Sequence, residues 1–210
     1  MNSRLLLPAI AAVLALVLSA CGGSTGGDPD AAPATRTDSH VLDQGPEGAP
    51  VLVEFIDFEC EACRAVSPAI DDVRKAYDGK ITFVMRHFPG PGHKNSMNAA
   101  LAVEAAAAQG KMEEMVEVLL ATQPGWGEKQ DSRAADFRIF ADNLGLDLEA
   151  YDASVADPAV KERIERDYQD GLDLGVTGTP TFFLDGDMLI LRRLSDLTDP
   201  LDAAVAKAGL

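Results

Sequence analysis

The chain has 210 residues, 47% hydrophobic and 25% charged, a balance that fits a globular protein and excludes a disordered one. Its net charge of −16 excludes nucleic acid as the main partner, because phosphate binding needs clustered Lys and Arg. A polybasic membrane contact is excluded on the same ground. In chain order, Leu5–Leu18 is an apolar run, with Arg4 the one charged side chain before residue 21. Such a run matches the apolar part of a signal peptide and is too short to span a bilayer. Apart from Arg36, residues 22–39 are Gly, Pro, Ala, Ser, Thr and Asp with almost no apolar bulk, so a flexible linker is expected through residue 40. Val51–Asp57 reads as a strand buried on both faces, and Lys80–His87 as a second strand. Between them, Val66, Ile70, Val73 and Tyr77 repeat at helical spacing and predict a helix over Ala62–Tyr77.

Further helices are predicted over Asn95–Gln109, Lys111–Thr122, Arg133–Leu144 and, from the cap Asp157 and first-turn Pro158, up to Leu174. Gln123–Gly127 reads as a loop. Thr181–Asp185 and Met188–Arg192 read as a hairpin turned at Asp185-Gly186-Asp187, and Asp196–Ala208 as a last helix. The fold class is α/β.

Each of the three cysteines has a place. Leu18-Ser19-Ala20-Cys21-Gly22 puts small residues before a Cys directly after the apolar run. This resembles a bacterial lipobox. The resemblance implies cleavage after residue 20, a diacylglyceryl and palmitate-type lipid on Cys21, and a domain tethered to the outer face of the cell membrane. The alternative is an ordinary secretory signal with a Cys there by chance. Cys60 and Cys63 remain, spaced C-x-x-C where the first strand gives way to the first helix. A helix N-terminus carries partial positive charge and unpaired N–H groups. Cys60 is therefore expected to be the low-pKa attacking thiol, and Cys63, one turn further in, to be buried and to resolve mixed disulfides.

A zinc site would need two further ligands, and only His40, His87 and His93 remain, with His40 in the expected linker. No metal and no cofactor are therefore expected. A purely structural disulfide over so short a loop adds little stability. Glu54 lies within the buried strand, six residues before Cys60, where ionisation is costly and its pKa should rise. It could then exchange a proton with Cys63; the alternative is an ion pair at an edge. Glu59 and Glu61 flank Cys60 and are expected to be exposed, opposing the thiolate and leaving its pKa at about 5–7.

Several features together resemble the thioredoxin family: the C-x-x-C, Pro68 five residues after it, Glu54 before it, and Gly175-Val176-Thr177-Gly178-Thr179-Pro180-Thr181 followed by Phe182-Phe183-Leu184. The resemblance implies a cis-Pro180 packed against the cysteines and a Thr179 backbone that receives an extended substrate chain. A trans proline opening a strand is the alternative. About ninety residues separate the second strand from the cis-proline loop, and Arg86-His87-Phe88-Pro89 ends that strand. In both respects the chain is similar to the DsbA-like branch. That implies a thioredoxin fold over residues 41–210 with a helical insertion at about 93–174, between the βαβ half and the cis-proline ββα half. The dipeptide Glu61-Ala62 departs from the His or Pro common in that branch.

The resemblance implies a protein disulfide oxidoreductase outside the cytoplasm, monomeric, acting on thiols of exported proteins and served by a membrane redox partner. Disulfide donation is the expected direction, since disulfides form outside the cytoplasm. The alternatives are a reductase or isomerase fed by a membrane electron carrier, which the acidic dipeptide favours, and a non-catalytic peptide-binding lipoprotein.

Overall fold

A computed structural model describes Met1 and residues 34–210. The expected signal peptide, Cys21 and most of the expected linker lie outside the described residues. Five strands form one sheet in the order β1-β3-β2-β4-β5. The strands are β1 (His40–Asp43), β2 (Val51–Ile56), β3 (Thr82–His87), β4 (Thr181–Leu184) and β5 (Asp187–Met188). β2 and β3 pair in parallel through the crossover helix α1 (Glu61–Ala76), and the other pairings are antiparallel. β2 is central, which is why its sequence is apolar on both faces.

Alternation along β2 sorts its side chains. Leu52 faces a core shared with Ile70 and Tyr77 of the α1 segment, and with Leu201 and Val205 of α7 (Thr198–Ala208). Val53 and Phe55 face the other way, toward Val84, Phe88, Val176 and Phe183. There they meet Tyr168 of α6 (Pro158–Asp173). Gly171 lets α6 approach closely, since a Cβ there would lie 2.6 Å from the Phe88 ring. The β4–β5 turn is Asp185-Gly186, with φ of 52° and 91°. Positive φ at both central residues is what a tight hairpin needs, and Asp-Gly supplies it.

α2 (Ser96–Ala107), α3 (Met112–Trp126), α4 (Ala134–Asn143) and α5 (Leu148–Ala156) form the insertion. α2 is its centre: Ala99, Ala102, Ala105 and Ala106 are fully buried, and their small size lets the other helices close in. Trp126 and Phe137 stack edge to face at 4.8 Å inside this layer. Among the described residues, no helix is long and apolar enough to cross a membrane.

Four sequence expectations change here. β1 begins at His40, inside the expected linker, and the packing starts earlier still. Ala34 is buried, and Arg36 bonds Asp167 and Asp170 of α6. Fully buried Arg86 binds the same two carboxylates, so the segment ahead of β1 is anchored by an ionic network. α3 runs through the expected loop at Gln123 and past Pro124, to end at Trp126. Trp126 Nε1 donates to Leu119 O, seven residues back along the same helix, at 3.1 Å. α5 was not expected at all; Asp147 caps it by accepting from Glu149 N and Ala150 N. The second hairpin strand stops at Met188; Leu189 N still donates to Phe182 O of β4 at 2.8 Å, and residues 190–193 are not strand.

Candidate active site

Cys60 is the N-cap of α1, half-buried, and Cys63 is fully buried one turn later. The Cys60 thiol is lowered to about 5, first by a hydrogen bond from the Cys63 side chain, with help from the Thr179 side chain and the Cys63 and Ala62 N–H groups. Burial acts against this shift but does not overcome it. Cys63 is pushed up, by burial first, then by its bond to Cys60 and by the nearby Glu54 charge. The pair is therefore split into a ready thiolate and a held thiol.

The Thr179–Pro180 peptide bond is cis, and Thr179 O lies 3.3 Å from Cys60 Sγ, accepting from the thiol when it is protonated. Glu54 shares the α1-facing side of β2 with Leu52, is 5% exposed, and is raised to about 8. Burial dominates that shift; Asp71 adds to it and Arg74 opposes it. The structure thus brings together Cys60, Cys63, Glu54, Thr179 and Pro180, with Glu61 and Ala62 exposed at the start of the helix. Cys21 lies outside the described residues.

Glu59 departs from expectation. It is 1% exposed, and its carboxylate turns into the insertion, accepting from Asn95 N at 2.6 Å and Glu128 N at 2.8 Å. Two backbone N–H groups compensate its burial, so it ties the cysteine loop to α2 and to the turn after α3. Two further side chains hold the same loop. Asp57 accepts from Glu59 N at 2.9 Å and Gly90 N at 2.7 Å, with His93 Nδ1 at 2.6 Å. Gln123 donates to Phe58 O at 2.8 Å and Cys60 O at 2.9 Å. Sequence reasoning missed Gln123, and no signal short of its place on α3 could have found it.

His87 is not at the cysteines. Its Nε2 lies 2.7 Å from Glu104 Oε1, which His40 Nε2 also approaches at 2.8 Å. These three side chains offer ligand atoms within 4.8 Å of one another. Yet the Arg163 guanidinium bonds the same carboxylate oxygen, and buried His87 Nδ1 lacks a hydrogen-bond partner. The cluster fits a hydrogen-bonded anchor for β1 better than a metal site.

A cavity of about 330 Å³ adjoins Pro180, lined by Val66, Phe182, Met188, Ile190 and Arg192 among others. A larger one of about 490 Å³, between α1 and α3, is lined by Asp71, Arg74 and Glu113 and reaches neither cysteine. The first touches the cis-proline but, like the second, has no cysteine in its lining.

The comparisons with known proteins agree with this geometry. A family model described as thioredoxin matches residues 36–203. The thioredoxin-like oxidoreductase from Silicibacter pomeroyi superposes with a TM-score of 0.68 at 28% identity, over 82% of this chain and 95% of that one. The α-DsbA1 of Wolbachia pipientis gives 0.71 at 19% identity, over 83% and 94%. BdbD from Bacillus subtilis gives 0.71 at 18%, over 84% and 97%. Curated relatives include the Na(+)/H(+) antiporter NhaA 1 of Mycobacterium sp. strain KMS, 40% identical over 144 residues. The antiporter NhaA of Herminiimonas arsenicoxydans is 36% identical over 148 residues. These matches take in 67% and 70% of this chain but only 22% of each antiporter, so the chain spans about a fifth of their length. The chain belongs to the thioredoxin family, and its fold is that of the DsbA-like thiol–disulfide oxidoreductases.

Proposed function

We propose that this protein works outside the cytoplasm, tethered by a lipid on Cys21, and donates its Cys60–Cys63 disulfide to thiols of exported proteins. The observation that carries the reading is the split pair: Cys60 lowered to about 5 at the start of α1 and beside Thr179, with Cys63 buried behind it. A substrate thiolate attacks Cys60 Sγ in the disulfide, and Cys63 leaves as a thiolate. Cys63 then takes up a proton, for which Glu54, near enough for its charge to act on Cys63, is the donor. A second substrate thiolate attacks the substrate sulfur of the mixed disulfide and expels Cys60. Two substrate thiols become a disulfide, and their two electrons rest on Cys60 and Cys63. A membrane redox partner accepts them and restores the disulfide.

The stabilised Cys60 thiolate favours the reduced form and so favours donation. The acidic surroundings of Cys60 speak less strongly for a reductase once Glu59 is turned into the insertion, leaving Glu61 of the dipeptide as the exposed carboxylate beside the thiol. The oxidised protein, mixed with a reduced, unfolded protein bearing two cysteines, is expected to consume both thiols, and a Cys60→Ser variant neither. Substrate thiols that persist, while the reduced protein cleaves insulin disulfides, would reverse the assigned direction.

A further inference from the structure

The loop that presents Cys60 is held by a side chain from the helical insertion. Gln123 on α3 is 2% exposed and uses both ends of its amide. Its Nε2 donates to Phe58 O and Cys60 O, on either side of Glu59, and its Oε1 accepts from Arg64 Nε at 3.0 Å. Cys60 O is also the acceptor for the first helical hydrogen bond, from Arg64 N at 3.2 Å. One amide therefore grips the turn before α1 and the first turn of α1 together. The Ala62 and Cys63 N–H groups of this stretch of backbone help to lower the Cys60 thiol. No other proteinogenic side chain of this length offers two N–H bonds and an acceptor without charge.

We infer that Gln123 is a positioning residue that sets the reactivity of Cys60 by fixing the turn that aims the helix N–H groups at its sulfur. This rests on the oxidoreductase reading of the site. It gives the insertion a part in the chemistry beyond shaping a groove: α3 reaches back to the redox loop through one buried amide. Glu59, within the same loop, ties it to Asn95 at the start of α2 and to Glu128, but it holds no carbonyl of the cysteine turn.

The test is the pH profile of Cys60 alkylation in the reduced full chain, for wild type, Gln123→Met, Gln123→Glu and Phe137→Leu. Gln123→Met keeps the length and loses the donors. Gln123→Glu keeps the shape and sets a carboxylate against two carbonyls. Phe137→Leu loosens the core of the insertion, where Phe137 is fully buried, without touching the loop. The alkylation midpoint is expected to rise by about one pH unit in Gln123→Met and by more in Gln123→Glu. Phe137→Leu should lower the melting temperature and leave the midpoint in place.

Two results would overturn the inference: a Gln123→Met midpoint equal to wild type, or a Phe137→Leu midpoint that moves as far as that of Gln123→Met. A wild-type midpoint near that of an ordinary cysteine is a different failure, because it removes the oxidoreductase reading on which the inference rests.

Discussion

Glu54 gives the most exposed prediction. Its carboxyl is held inside the central strand, with burial raising it from 4.5 to about 8. Between those values the folded protein keeps the proton while the unfolded chain releases it. The unfolded state therefore binds fewer protons, and stability must fall as pH rises through this window. From these two values, the loss between pH 5 and pH 7.5 amounts to about 3 kcal/mol. Glu54→Gln has no proton to lose, so this slope should vanish. In urea titrations of the reduced protein, the variant should gain about 3 kcal/mol relative to wild type between pH 5 and pH 7.5. It should also exchange disulfides with insulin more slowly, because Cys63 loses the carboxyl group with which it exchanges its proton. Parallel stability curves for the two proteins across that range would refute the assignment of Glu54 as a buried, neutral acid.

Cys63→Ala removes the largest contributor to the low Cys60 pKa, so the Cys60 alkylation midpoint should rise by about one to two pH units after allowance for its partial exposure. A midpoint that stays near 5 would assign the thiolate to the helix terminus alone. Asp167→Asn takes a charge from a site where Asp167 is 1% exposed against fully buried Arg86 and also accepts from His87 N. It should cost about 3–5 kcal/mol, read as a lowered urea midpoint. Burial alone would raise Glu104, but hydrogen bonds and charge from His40 and His87 outweigh it and hold it low. Its contribution is therefore present above the unfolded value of 4.5 and lost as pH falls through the lower folded value. Glu104→Gln should weaken the protein at pH 7 and flatten the acid limb of its stability curve.

The parts of the fold that were legible in the sequence carry strong local signals. A long run of β-formers marked β2, the cysteine pair marked its end, and Asp-Gly marked the hairpin turn. What escaped was decided by tertiary contacts. β1 is four residues long, and its place on the sheet depends on pairing with β3 and on the His40–Glu104 contact. Neither leaves a periodic trace in a segment beside Gly- and Pro-rich chain. Pro124 and the adjacent Gly125 read as a break, yet α3 continues because Gln123 and Trp126 are both buried against neighbours. Glu59 read as solvent-facing because glutamate beside an exposed thiol usually is. Its partners are backbone N–H groups of Asn95 and Glu128, far along the chain, which no composition argument can place. The redox pair was legible; the clamps that hold its loop were not.

The most direct test of disulfide donation is the reduction potential of the Cys60–Cys63 pair, measured by equilibration against glutathione buffers. The anchors are about −120 mV for DsbA and about −270 mV for thioredoxin. Donation predicts a value above roughly −180 mV, nearer the first. A value below roughly −230 mV would contradict it and make the protein a reductase that draws electrons from a membrane carrier.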